Sequence, residues 1–292
     1  MNTIYKVLLI ASLAVSCNTA FAQVEEQIAE SVPPSVVELT IPSGDLRMTG
    51  FAYLAAGAGP HPTILLLHGY PGNEKNLDVA QALRRDGWNV LFFHYRGAWG
   101  SEGEFSFLGA EQDVQTVLGF MHEEKNATRL RIDTNRISIV GHSMGGHMAI
   151  AGILGNQTVQ CAVAYDGINI GVYANAWQKN PDGAKGWKAY GDSLFMLAGW
   201  SGDKAEKEIL DHGDELDLIA RAGNINGRPI LLIPADTQVV PMDVHINPLR
   251  AALEKTKEAK ITVTLIDDDH SYSGSRLTLI ETTEHFLNEN CR

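Results

Sequence analysis

The feature that most constrains this 292-residue chain is a set of short apolar runs that do not alternate. "PTILLLHG" (62–69), "WNVLFFHYRG" (88–97), "RISIVGHS" (136–143) and "VQCAVAYDG" (159–167) carry Val, Ile, Leu, Phe or Ala at their centres, broken only by Ser138 in the third. A strand with one wet face would place a polar residue at every second position, so these runs predict strands covered on both sides. Between them lie segments with apolar residues at helical spacing, "LDVAQALRRDG" (77–87), "EQDVQTVLGFMHEE" (111–124) and "MGGHMAIAGIL" (144–154). Strand and helix taking turns predict an α/β fold, with a mostly parallel sheet and helices on both faces.

The alternation has a beginning and a break. "VVELTI" and "RMTGFAYLA", separated by the turn signal "PSGD", predict an antiparallel pair ahead of the parallel strands. From 168 to 228 no strand pattern is visible, while aromatics and a charged helical run accumulate, so this block is expected to be an insertion. The pattern resumes with "RPILLIPA", a helix over about 243–259, "KITVTLID" and a last helix over about 275–289. Residues 36–167 and 229–292 then form one core, and 168–228 its cap.

Ahead of the core, Lys6 precedes an apolar run from Val7 to Val15 and then Ala20-Phe21-Ala22, the outline of an export signal cut after Ala22. Residues 1–22 are read as that signal, and 23–35 as a short extension. The run is too short for a span, which needs about 20 apolar residues. "AVSC" ending at Cys17 loosely resembles a lipoprotein site, the minor alternative; otherwise export to the periplasm or beyond the cell is expected, without a membrane span after cleavage. Without Lys6 the chain keeps 22 Lys and Arg against 35 Asp and Glu, a net −13, which disfavours nucleic acid as a partner. Cys161 and Cys291 could pair or stay free, and no cluster has metal-ligand spacing.

"GHSMG" at 141–145 fits the pattern G-x-S-x-G, a weak signal alone. Its setting strengthens it: a buried strand precedes and a Gly- and Ala-rich helix follows, as a serine projected from a strained turn requires. The plain alternative for Ser143 is a turn or cap serine. A nucleophilic hydroxyl needs a base, and His270, just past the last strand, is the histidine so placed among ten. An imidazole needs a carboxylate to fix its tautomer, for which Asp236 after "RPILLIPA" is the first candidate. Asp166, ending "CAVAYD", is the substitute, with Asp243 and the acids beside His270 behind it. An oxyanion would be met by the backbone N–H of Met144 and by that of Tyr70, since Pro71 has none. "GDSL" at 191–194 has no strand before it, and its Ser193 reads as a cap.

In order and spacing, "HGYPG", "FHYRGAWGSEGEF", "GHSMGG", "PILLIPADTQVVP" and "DHSYSGSR" resemble the α/β-hydrolase superfamily, especially its esterase, prolyl-oligopeptidase-like and serine-aminopeptidase-like members. The resemblance covers about 36–289 and implies an eight-stranded, mostly parallel sheet, a helical cap at 168–228 and Ser–His–Asp hydrolysis without a cofactor. The family usually carries "G-x-x-D-x-x-V-P" where this chain has "PADTQVVP", without the glycine and with the aspartate one residue early. Trp177, Trp187, Phe195 and Trp200 in the cap are candidate pocket residues; the other reading makes them the cap's own core. The expected enzyme is a serine hydrolase acting on a small-molecule ester. A peptidase or amidase on the same machinery is the second reading, and a non-catalytic binding protein on the same scaffold the third.

Overall fold

The computed structural model describes residues 32–257 and 259–291. The expected signal at 1–22 and residues 23–31 of the extension lie outside that range. Eight strands form one sheet: β1 (Ser35–Ser43), β2 (Leu46–Leu54), β3 (His61–Leu67), β4 (Asn89–Phe93), β5 (Ile132–His142), β6 (Val159–Tyr165), β7 (Pro229–Ile233) and β8 (Lys260–Val263). Their spatial order is β1-β2-β4-β3-β5-β6-β7-β8. β1 pairs antiparallel with β2, and β2 antiparallel with β4; every later pairing is parallel.

The apolar runs are buried as their pattern requires. All five residues of β4 and the last six of β5 are shielded. Side chains that alternate across the sheet sort onto two faces. Ile64, Leu66, Val90, Phe92, Val140 and Val163 join one core, while Leu65, Leu67, Leu91, Phe93, Ile139 and Ala162 join the other. Each such Val, Leu, Ile or Phe contributes about 1.5–3 kcal/mol on leaving water.

Helices α1 (Leu77–Arg85), α2 (Phe107–His122), α3 (Glu124–Leu130) and α4 (Met144–Gly155) connect the strands up to β6. The block between β6 and β7 is helical: α5 (Val172–Lys179), α6 (Lys185–Asp192), α7 (Gly202–Asp211) and α8 (Leu218–Arg221), with 3-10 turns at Pro181–Ala184 and Ala222–Asn224. The helix expected over about 243–259 is two, α9 (Met242–His245) and α10 (Asn247–Glu254). Pro248 explains the break, since proline is tolerated in a first turn but not in a helix interior. Finally α11 (Arg276–Asn290) returns to the sheet, and Cys291 beyond it is bonded to Cys161 on β6. Among the described residues no helix is long and apolar enough to cross a membrane.

Candidate active site

The C-terminal ends of the parallel strands converge on one edge of the sheet, where open α/β sheets place their ligands. β5 ends at His142, and Ser143 follows with φ 59° and ψ −119° before α4 begins at Met144. A residue with a side chain held at positive φ costs about 1–3 kcal/mol, so neighbours must hold it there. They do so through the backbone: the Ser143 N–H donates to the Tyr165 carbonyl at 2.9 Å, and its carbonyl accepts from Gly146, His147 and Ile168. Tight packing explains the first glycine of the motif, because a Cβ at Gly141 would lie 1.9 Å from the Gly145 carbonyl oxygen. Ser143 precedes a helix, yet its side chain makes no cap hydrogen bond, which removes the cap serine from consideration.

His270 sits in the turn beyond β8, and its Nδ1 lies 2.6 Å from Oδ2 of Asp166. Asp166 is fully buried at the end of β6, at φ 37°. Its other contacts come from the loop after β7: Ala235 N–H donates to Oδ1 at 3.0 Å and the Thr237 hydroxyl to Oδ2 at 3.1 Å. Asp236, the sequence's first candidate for the residue behind His270, is instead exposed, and its Oδ1 accepts from the Met242 N–H at 3.1 Å at the start of α9. The backbone gives the reason: at φ 54° the chain turns at Asp236, carrying its side chain out while Ala235 and Thr237 face Asp166.

His142 also holds the His270 turn. Its Nε2–H donates to the His270 carbonyl oxygen at 2.6 Å, and the two rings lie 4.6 Å apart. Burial, followed by the neighbouring His270, pushes His142 down to about 4, so it is neutral at ordinary pH. On the opposite side, the loop after β3 runs against the serine. A Cβ on Gly69 would lie 3.0 Å from Ser143 Cβ and 3.2 Å from the His142 carbonyl oxygen, so any side chain there would press on the serine turn. Next along the loop, Tyr70 is fixed by its side chain: its hydroxyl accepts from Trp200 Nε1 at 2.7 Å and its ring stacks on Trp187, 5.9 Å away. The Met144 N–H, first in α4, has no intrahelical acceptor and lies at the positive end of the helix dipole.

A cavity of about 680 Å³ opens over these groups, with Ser143, His270 and Tyr70 on its floor and Tyr173, Trp177, Trp187, Tyr190 and Val239 on its walls. A smaller lobe of about 210 Å³ lies on the other side of Ser143 and His270, against 69–74. Of the four candidate pocket aromatics, Trp177 and Trp187 line the larger cavity. Phe195 does not: it is 91% exposed. Trp200 is also displaced, bordering a separate depression with Phe105 and Glu208 while it braces Tyr70 from behind. Sequence reasoning missed Tyr173 and His245, which face this cavity together. Among the described residues no group of three or more His, Cys, Asp or Glu could hold a metal ion.

Comparison with known proteins agrees with this architecture. The BD-FAE family model matches residues 53–175, which contain β3, the serine turn and Asp166. An uncharacterized protein of Mycobacterium tuberculosis is 27% identical over 124 residues, and the match spans 42% of this chain and 42% of that protein's length. Among solved structures, the acylaminoacyl peptidase of Pyrococcus horikoshii superimposes with a TM-score of 0.67 at 18% identity, covering 89% of this chain but 42% of the peptidase. An esterase of Pyrococcus furiosus does so with a TM-score of 0.61, also at 18% identity, over 90% of this chain and 93% of the esterase. Sheet order, serine turn and these likenesses together show an α/β-hydrolase fold.

Proposed function

We propose that this chain is an exported serine hydrolase that cleaves carboxylic esters of small or medium acyl groups. Ser143 Oγ attacks the ester carbonyl while His270 Nε2 takes its proton. The resulting oxyanion is met by the N–H groups of Met144 and Tyr70. Collapse expels the alcohol, to which His270 returns the proton, and leaves an acyl group on Ser143. Water, deprotonated by His270, then releases the acid and restores the serine. Asp166, not Asp236, holds the imidazole in the tautomer that keeps Nε2 free to act as base, and it stabilises the imidazolium.

The observation that carries this reading is the buried Asp166 carboxylate 2.6 Å from a histidine that shares a cavity wall with a strained serine. Ester is favoured over peptide by the lining: Trp, Tyr, Ile, Val and Pro predominate, and among the described residues no Asp, Glu, Lys or Arg borders the cavity to receive a charged peptide terminus. Export is supported by the Cys161–Cys291 bond, which persists in oxidising compartments, and by the leader-like start of the chain.

A fluorophosphonate probe tests the nucleophile, with labelling of wild-type protein and none of Ser143→Ala as the expected pair. Chromogenic acyl esters of graded length, run beside aminoacyl and prolyl anilides, test the substrate class. Faster turnover of the anilides would replace the esterase by a peptidase, and an unlabelled wild type would leave a binding protein.

A further inference from the structure

One wall of the larger cavity carries a polar pair that the hydrolytic machinery does not use. His245, at the end of α9, is 1% exposed, and Tyr173 lies in the first turn of α5. The Asn169 N–H donates to His245 Nδ1 at 3.1 Å, and His245 Nε2 lies 3.3 Å from the Tyr173 hydroxyl oxygen. Since Nδ1 accepts, the proton of the neutral ring must sit on Nε2, which makes Nε2 the donor to Tyr173. Burial pushes His245 down to about 4, so this neutral arrangement holds across ordinary pH. The Trp187 indole also interacts with that hydroxyl, and burial, outweighing the indole, raises Tyr173 to about 12. With its oxygen already accepting from neighbouring N–H groups, Tyr173 has its own proton left to give, and it stands on the cavity wall.

The pair is set firmly relative to the chemistry. Asn169 follows Ile168, whose N–H donates to the Ser143 carbonyl at 3.2 Å, and the Asn169 side chain bridges Asp217 and the Leu218 N–H. A hydroxyl fixed as a donor on a wall whose neighbours Ile168, Trp177 and Val244 are apolar rejects a ligand that leaves it unpaired more strongly than a flexible one would.

We propose that Tyr173 is a specificity-determining donor of the substrate cavity, held in that sense by His245, and that it selects an aryl or acyl ester bearing a neutral ether- or carbonyl-type oxygen over its apolar isostere. This rests on the ester-hydrolase reading above and deepens it: Tyr173 touches substrate, while His245 acts as a positioning residue.

The test compares the 4-nitrophenyl esters of 4-methoxyphenylacetic acid and of 4-ethylphenylacetic acid, which differ by an oxygen in place of a methylene. In Tyr173→Phe, kcat/KM for the methoxy ester is expected to fall about tenfold, and for the ethyl ester less than about twofold. His245→Leu should reproduce that selective loss, whereas His245→Gln, whose amide nitrogen can stand where Nε2 does, should keep most of the discrimination. The ratio of the two substrates cancels any change in folded fraction. Equal losses on both esters, or none on either, would overturn the proposal. Binding to Ser143→Ala, followed through the tryptophan fluorescence of the cavity, gives the same comparison without turnover, using 4-methoxyphenylacetamide and 4-ethylphenylacetamide. A preserved binding ratio in Tyr173→Phe sinks this inference alone, while a tenfold shift in binding without any hydrolysis by wild type supports it and counts against the esterase.

Discussion

Acidification should destabilise this protein well above the pH at which ordinary carboxylates titrate. His68, His142 and His245 are 1%, 4% and 1% exposed, and burial pushes them down to about 3, about 4 and about 4 respectively. In the unfolded chain each would titrate near 6.5. The folded values are depressed, so between about 4 and 6.5 the unfolded state binds more protons and stability falls as pH falls. It is complete above 6.5. At pH 5 each histidine removes about 2 kcal/mol, about 6 kcal/mol for the three, against the 5–15 kcal/mol typical of a folded domain. Asp113 and Glu208, raised by burial, act with the opposite sign and soften the loss. Urea titrations at half-unit steps from pH 7.5 to 4.5 should give a stability that declines below pH 6.5 and steepens toward a slope of about four protons, since His94, lowered by burial to about 4, adds to the three. His245→Gln should lower that limiting slope by about one proton. A midpoint unchanged between pH 7 and pH 5 would refute the assignment of these rings as buried and neutral.

The assignment of the acid separates cleanly by mutation. Asp166→Asn should lower kcat on the best ester by about 10⁴-fold, because the amide no longer fixes the His270 tautomer, while Asp236→Asn should change it less than about threefold; the reverse order would restore Asp236. The disulfide closes a separation of 130 residues, so Cys161→Ser with Cys291→Ser should cost up to about 5 kcal/mol in the chain-entropy account. Scanning calorimetry should then record a drop of roughly 10–20 °C in Tm. A fall of under about 3 °C would mean that the bond adds little.

Much of the fold was legible because sheets buried on both faces leave a trace in β3, β4, β5 and β6, where Ser138 in β5 is the one polar residue at the centre of a run. The serine turn was legible for a related reason: Gly141 and Gly145 are each required by a backbone clash that a Cβ would make, and they bracket Ser143 at its positive φ. The acid was harder. Asp166 and Asp236 both follow strands on the same sheet edge, and what separates them is the φ of 54° that turns Asp236 outward, a property of the loop as a whole. Pocket lining failed at Phe195 and Trp200 because an aromatic in a helical insertion has no periodicity that tells cavity wall from exterior. Tyr173 and His245 went unseen since 72 residues separate them and their meaning arises only when α5 and α9 bring them together.

The neutrality of His142 has a mechanistic consequence. In the proposed mechanism an imidazolium forms at His270 during each proton transfer, and a second cation 4.6 Å away would oppose it. Burial keeps that second charge absent, while the remaining proton on Nε2 is spent on the His270 carbonyl oxygen, fixing the turn that carries the base. His142 therefore holds the backbone of His270 without competing for its charge. His142→Phe retains the ring but loses the hydrogen bond, worth about 1 kcal/mol, so kcat should fall about five- to tenfold with KM little changed. His142→Lys would place a cation beside the base and should additionally lower the apparent pKa seen in the kcat profile. If instead His142→Phe raises KM and leaves kcat alone, the residue shapes the cavity rather than the base, and the clamp is excluded.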